Sequence, residues 1–225
     1  MARRPVTEPP FIGQYRASFE STWSDDTPID RVRFVVLDTE TTGLDPRTDR
    51  IITIGAVAMQ NGEILLEDSF EALLKVTHNT SAVTVHGVTR DESLRGIEEP
   101  VALERFLDYL KDGVILGHHI GHDVATFDQA YERHWGLHMS NRQIDTMDLT
   151  LHLERDGAFS DRPRIREFTL DALCDLFGVI PYDRHTASGD AFITAQLFLR
   201  LRRLALTHSR EQLGHISQPF EPENT

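Results

Sequence analysis

Asp38 and Glu40 stand two residues apart, with Thr39 between them, at the end of the apolar run 32–37. Side chains in a strand alternate faces, so these two carboxylates would share one side and Thr39 would point away. Adjacent carboxylates repel unless a cation lies between them. Hard divalent ions such as Mg²⁺ or Mn²⁺ take oxygen ligands of this kind. The same pair could also be a solvated strand end ahead of a turn. Two further acids stand beside histidines. Asp123 closes the block Gly117-His118-His119-Ile120-Gly121-His122-Asp123, and Asp190 lies five residues after His185. A histidine can take up a proton near neutral pH. A carboxylate that opens a helix is favoured by the helix dipole.

These residues need elements to bring them together. Residues 1–30 are rich in Pro, Ser, Thr and Asp and read as an arm with a short helix near 15–21. Regular structure is expected from Arg31. The continuous apolar run 32–37 predicts a strand buried on both faces. Gly43 and Asp45-Pro46 mark a turn over 41–49. A second strand is expected over 51–59, a hairpin at Asn61-Gly62 and a third, bent or bulged strand over 63–74. Val101, Leu103, Phe106, Leu107 and Leu110 fall at helical spacing and predict a helix over 100–111. A short strand over 114–116, a helix over 124–135 and a fifth strand around Ile144 follow. Helices over 147–153, 170–177 and 187–206 complete the pattern. Residues 209–225 read as a polar tail with little apolar anchor beyond Ile216 and Phe220. The division expected is an arm (1–30), one catalytic domain (31–208) and a tail (209–225), the domain built as a mixed sheet with helices on its faces.

A length of 225 residues suits one large domain with a substantial core. No stretch approaches the roughly 20 apolar residues of a membrane span, so no membrane association is expected. Arg3 and Arg4 are followed by prolines and not by an apolar run, which argues against a secretory signal. Cys174 is the sole cysteine, so no intrachain disulfide can form, and a reducing cytoplasm is the expected setting. The net charge of −13 argues against a broadly phosphate-binding surface unless the acids hold metals. Arg155, Arg162, Arg164 and Arg166 interrupt the acidity. They either guide a nucleic-acid backbone or pair with nearby acids.

The segment 35–44, Val-Val-Leu-Asp-Thr-Glu-Thr-Thr-Gly-Leu, resembles the first motif of the DEDDh exonucleases, a family that includes the proofreading epsilon subunit of bacterial DNA polymerase III. The block ending in Asp123 is similar to the family's second motif. His185 and Asp190 match the spacing of the third. Val85-His86-Gly87-Val88-Thr89 is similar to a segment many members carry between the first two. The order agrees, and the resemblance covers roughly residues 31 to 206. It implies an α/β, ribonuclease H-like fold: a five-stranded mixed sheet, antiparallel meander plus parallel strands, flanked by helices. It also implies a 3′→5′ exonuclease that releases nucleoside 5′-monophosphates with two divalent metal ions, Mg²⁺ or Mn²⁺.

By this resemblance Asp38 would touch both metals, and Glu40 and Asp190 would complete the site on the nucleophile side. Asp123 would act at one remove, through water, and His185 would take the proton from the attacking water. The backbone of 39–42, including Thr39 and Thr41, would contact the terminal nucleotide, with Leu44 against its base. His86 would approach the sugar or base, and Phe127 is a further candidate contact; for Leu44 and Phe127 a place in the core is an equally open reading. The expected partner is a nucleic-acid 3′ end, DNA ahead of RNA and single-stranded, with a polymerase or another protein as a possible companion. The sequence departs from the family pattern at His119 and His122, which leaves the four acids intact. His118, His119 and His122 match no standard zinc spacing. The contrasting reading is a nucleic-acid-binding module of the same fold with weak or no catalysis.

Overall fold

The computed structural model describes residues 8–76, 92, 94–159 and 166–221. Five strands form one sheet: β1 (Phe34–Thr41), β2 (Ile51–Gln60), β3 (Glu63–Leu73), β4 (Val114–Gly117) and β5 (Gln143–Asp145). Their order is β3-β2-β1-β4-β5. β1 is antiparallel to β2 and parallel to β4, and β5 continues the parallel half. The expected strand 32–37 is observed later and longer. Pairing with β2 carries it past the acids to Thr41, where the register slips between Glu40 and Thr41. The expected bulge appears as a second register slip, between Val57 and Ala58 of β2 where it pairs with β3.

The central strand buries both faces, and its alternation divides the core in two. Phe34 and Val36 join one apolar cluster. Helices α4 (Thr146–Arg155), α5 (Leu170–Phe177) and α6 (Ala187–Thr207) contribute Leu149, Leu173, Phe198 and Leu201 to it. Val35 and Leu37 join the other. There α2 (Glu99–Leu110) and α3 (Gly121–Trp135) supply Phe106, Leu107, Phe127 and Tyr131. Each fully buried side chain of this size contributes about 2 kcal/mol. With both faces filled, only the ends of the strands remain for chemistry, and burial along β1 falls off from Asp38 onward.

The arm and the tail fold onto this body. Helix α1 spans Pro10–Ala17 and runs into a 3-10 turn at Ser18–Ser21. It starts earlier than the expected 15–21, because a proline suits the first helical position. Tyr15 is buried; its hydroxyl donates to Asn141 Oδ1 at 2.5 Å and accepts from the Ser140 amide at 2.8 Å. Trp23 Nε1 donates to the Asp112 carbonyl at 2.9 Å. At the other end a short helix α7 (Leu213–Ile216) buries Leu213 and Ile216. Backbone amides of Ile29, Leu213 and Gly214 donate to the carbonyls of Glu211, Thr27 and Asp25 at 3.0, 2.9 and 2.9 Å. Phe220 packs edge-on against His152 with centroids 5.2 Å apart. The segment that read as a polar tail thus has more apolar anchorage than its composition suggested. No helix among the described residues is long and apolar enough to cross a membrane.

Candidate active site

The C-terminal half of β1 sets the site. Asp38 and Glu40 project from it two residues apart. Opposite Asp38 on β2 lies Gly55. A Cβ at Gly55 would meet the Ser188 amide nitrogen at 2.2 Å and the Ala187 carbonyl carbon at 2.3 Å. The missing side chain lets the start of α6 lie against the sheet. Thr186 caps that helix, accepting from the Gly189 amide at 3.1 Å, and Asp190 occupies its first turn, 7% exposed. One carboxylate oxygen from each of Asp38, Glu40 and Asp190 lies within 4.8 Å of the others.

Asp123 enters from the far side of β1. Helix α3 starts at Gly121, three residues before the expected 124, so Asp123 sits in its first turn, 6% exposed. The Thr39 amide and hydroxyl both donate to its Oδ1, at 2.9 and 2.6 Å. Thr39 points away from Asp38 and Glu40 as alternation requires, and what it meets there is Asp123.

Four carboxylates at this density cannot all ionise freely. Burial, and then the charges of Asp123, Asp190 and Glu40, hold Asp38 well above the usual carboxylate range. Burial and the charges of Asp190 and Asp123 push Glu40 up to about 7. Asp123 rises to about 6 through burial, opposed by the hydrogen bonds from Thr39. Arg184 is the cation that opposes the rise at both Asp38 and Glu40. Asp190 Oδ1 is buried without a hydrogen-bond partner among the described residues. A half-ionised acid cluster with an orphaned inward oxygen fits a divalent cation, which would satisfy the lone pairs and remove the repulsion.

His185 is exposed on the turn before α6, with φ +64°. Its neighbour Arg184 donates to Asp171 Oδ1 and Oδ2 at 2.7 and 3.2 Å and also bonds Asp190 Oδ2. Leu44 stands 87% exposed at the tip of the loop after β1. Asp49 fixes that loop, accepting from Thr42 Oγ1 at 2.8 Å and the Asp45 amide at 2.9 Å. Thr41 Oγ1 donates to the Gly43 carbonyl at 2.7 Å. The substrate contact expected of Phe127 is corrected here. Phe127 is fully buried, stacked on Phe106 at 4.6 Å and on Tyr131 at 6.1 Å, and has no surface for a nucleotide. Helical spacing from Asp123 placed it on the core face. His86 lies outside the described residues.

The three histidines before Asp123 have separate places. His118 Nδ1 is 2.8 Å from Thr146 Oγ1, and burial lowers the ring's pKa to about 4. His119 adopts φ +57° and stacks edge-on against His118 at 4.5 Å. Asp145 holds this turn, accepting from the His119 and Ile120 amides at 3.2 and 3.0 Å while capping α4 through the Met147 amide at 2.8 Å. Among the described residues these histidines join no metal-holding group. Arg155 is spoken for as well: it bonds His152 Nδ1 at 2.9 Å and lies over the Phe220 ring. Arg162 and Arg164 lie outside the described residues.

Gly55, Arg184, Asp145 and Asp49 were not singled out in the sequence. A glycine inside an apolar strand was the available signal for the first. The other three show themselves only through partners distant in the chain or, for Asp49, across the turn.

DNA polymerase III of PolC type from Thermotoga maritima is 36% identical over 203 residues, 84% of this chain and 13% of that protein. The PolC-type polymerase of Listeria monocytogenes is 33% identical over 171 residues, 75% of this chain and 11% of its own length. This chain therefore spans a small fraction of these relatives. Among solved structures, E. coli Exonuclease I in complex with a dT13 oligonucleotide superposes with a TM-score of 0.66 at 18% identity, over 79% of this chain and 42% of that one. Cell-death related nuclease 4 gives 0.66 at 16% identity, over 78% and 65%. These likenesses carry the fold, and it is the ribonuclease H-like sheet expected from the sequence. Residues 35–198 match the family described as Exonuclease, from β1 into α6, and on that match the chain belongs to the exonuclease family.

Proposed function

We propose that the chain hydrolyses nucleic acid from the 3′ end, releasing nucleoside 5′-monophosphates at the cluster of Asp38, Glu40, Asp123 and Asp190. The observation that carries this reading is the convergence of Asp38, Glu40 and Asp190 oxygens within 4.8 Å. Asp38, Glu40 and Asp190 would hold two divalent ions, Mg²⁺ or Mn²⁺, with Asp123 acting through water. Bound ions of this kind activate a water and stabilise the leaving oxygen. The chain's own residues do the rest. Thr39 fixes Asp123 by two hydrogen bonds. His185, exposed on the turn before α6, accepts the proton of the attacking water. Backbone groups around Thr39 and Thr41 grip the terminal nucleotide, and the projecting Leu44 meets its base without reading it.

DNA with a single-stranded end is the preferred substrate. Support comes from relatives that are DNA polymerases and from the oligonucleotide complex of the E. coli enzyme. A polymerase is the protein partner these relatives suggest. The test uses 5′-labelled single-stranded DNA and RNA with Mg²⁺, Mn²⁺ or EDTA. Wild type should give a metal-dependent ladder shortening from the 3′ end, faster on DNA. Asp38→Ala and His185→Ala should slow it by about 10²–10⁴-fold. Equal cutting in EDTA, or full activity in His185→Ala, would refute the assignment.

A further inference from the structure

We propose that Asp171 and Arg184 form a brace that orients Asp190 and steadies the turn carrying His185, which makes both of them positioning residues for the reaction. The inference rests on the metal-dependent reading above. Arg184 sits one residue before His185 and six before Asp190. Its Nε and Nη2 engage the two oxygens of Asp171, in the first turn of α5, at 2.7 and 3.2 Å. A guanidinium is planar, so two N–H groups fixed on one carboxylate set the direction of the rest. The remaining fork atom, Nη1, lies on Asp190 Oδ2.

This geometry decides which oxygen Asp190 can offer. Oδ2 is taken by the guanidinium, while Oδ1 is buried with no other partner among the described residues. A braced Asp190 is held in one orientation, with Oδ1 the oxygen left without a protein partner. The same contact anchors the backbone beside His185. Asp183 and His185 both adopt positive φ, +59° and +64°, which costs a non-glycine residue and persists only where surroundings hold it. On one side Thr186 Oγ1 donates to the Asp183 carbonyl at 2.9 Å. On the other the brace ties the turn to α5.

Asp171 makes the idea testable, because its side chain is 59% exposed and that of Arg184 is 20% exposed. An ordinary surface ion pair contributes little to stability, and its loss would leave catalysis untouched. The experiment measures Mn²⁺ binding by calorimetry, single-turnover rate at saturating Mn²⁺, and oligonucleotide KM, on wild type, Asp171→Asn and Arg184→Lys. Asp171→Asn should weaken Mn²⁺ binding and slow the chemical step by about tenfold each, with KM within twofold. Arg184→Lys cannot make the fork and should lose about 100-fold, as partners of metal-holding side chains commonly do. Unchanged Mn²⁺ binding and rate in Asp171→Asn overturns the brace. So does a loss confined to KM, which would make Arg184 a phosphate contact. Wild type that neither binds Mn²⁺ nor cuts overturns the underlying reading, and the brace with it.

Discussion

At neutral pH the carboxyl of Glu40 is close to half protonated in the folded chain, because its pKa stands at about 7 against an ordinary 4.5. Between those two values the folded state binds more protons than the unfolded one. Stability therefore falls as pH rises through that window. Glu40→Gln removes the conflict. Without divalent ions its melting temperature should match wild type near pH 4.5 and exceed it increasingly up to about pH 7. The gap should then level off at about 2 kcal/mol after allowance for solvent screening. Saturating Mg²⁺ should stabilise the wild type more than the variant and close the gap. A constant difference across the window would show that the variant acts through packing. The residue scale is also where the sequence was most legible. Asp38, Glu40, Asp123, His185 and Asp190 stand out through the family resemblance, and the structure brings oxygens of Asp38, Glu40 and Asp190 together. For Phe127 the sequence left substrate contact and core open together, because a helical repeat cannot tell which face meets the core, and the structure decides for the core.

At the scale of elements, the site depends on how closely α6 lies on β2, and Gly55 permits that approach. Gly55→Ala would force backbone against backbone at Ser188. It should cost about 2 kcal/mol of stability by overpacking. Activity at saturating metal should fall by about 100-fold, because a displacement near 1 Å at Asp190 spoils the geometry. Thermal melts and single-turnover rates check the two parts separately, and a variant with normal rate would show that α6 can shift without moving Asp190. Element types were readable from periodicity: the strands, the Asn61-Gly62 hairpin and the longer helices were anticipated, while the short helix α7 in the supposed tail was not. Their ends were not. β1 runs on through the acids because β2 pairs with it, and α3 starts three residues early because its first turn is polar. Tertiary pairing decides such boundaries, and a single sequence does not display it.

At the scale of the whole molecule, one buried amide, Asn141, joins the arm to the body beside the Trp23 and backbone contacts. Asn141, 6% exposed, accepts from Tyr15 and donates to the Lys111 and Gly113 carbonyls, both at 2.8 Å. Asn141→Leu would take this partner from the Tyr15 hydroxyl and from the Lys111 and Gly113 carbonyls. It should cost about 3 kcal/mol, a fall of about 9 °C in Tm, measured by calorimetry. Activity below the new Tm should be nearly unchanged, since none of these groups reaches the acids. The aromatic residues of the arm allowed that it folds back on its own domain, but its partner could not be read, because Tyr15 and Asn141 are 126 positions apart.

The pairing of 25–29 with 211–214 has a consequence for architecture. The Gly214 amide lies 2.9 Å from the Asp25 carbonyl, so the segments that flank the sheet and its helices on either side run next to each other. A body built this way can be spliced into the middle of a host polypeptide much as a loop is.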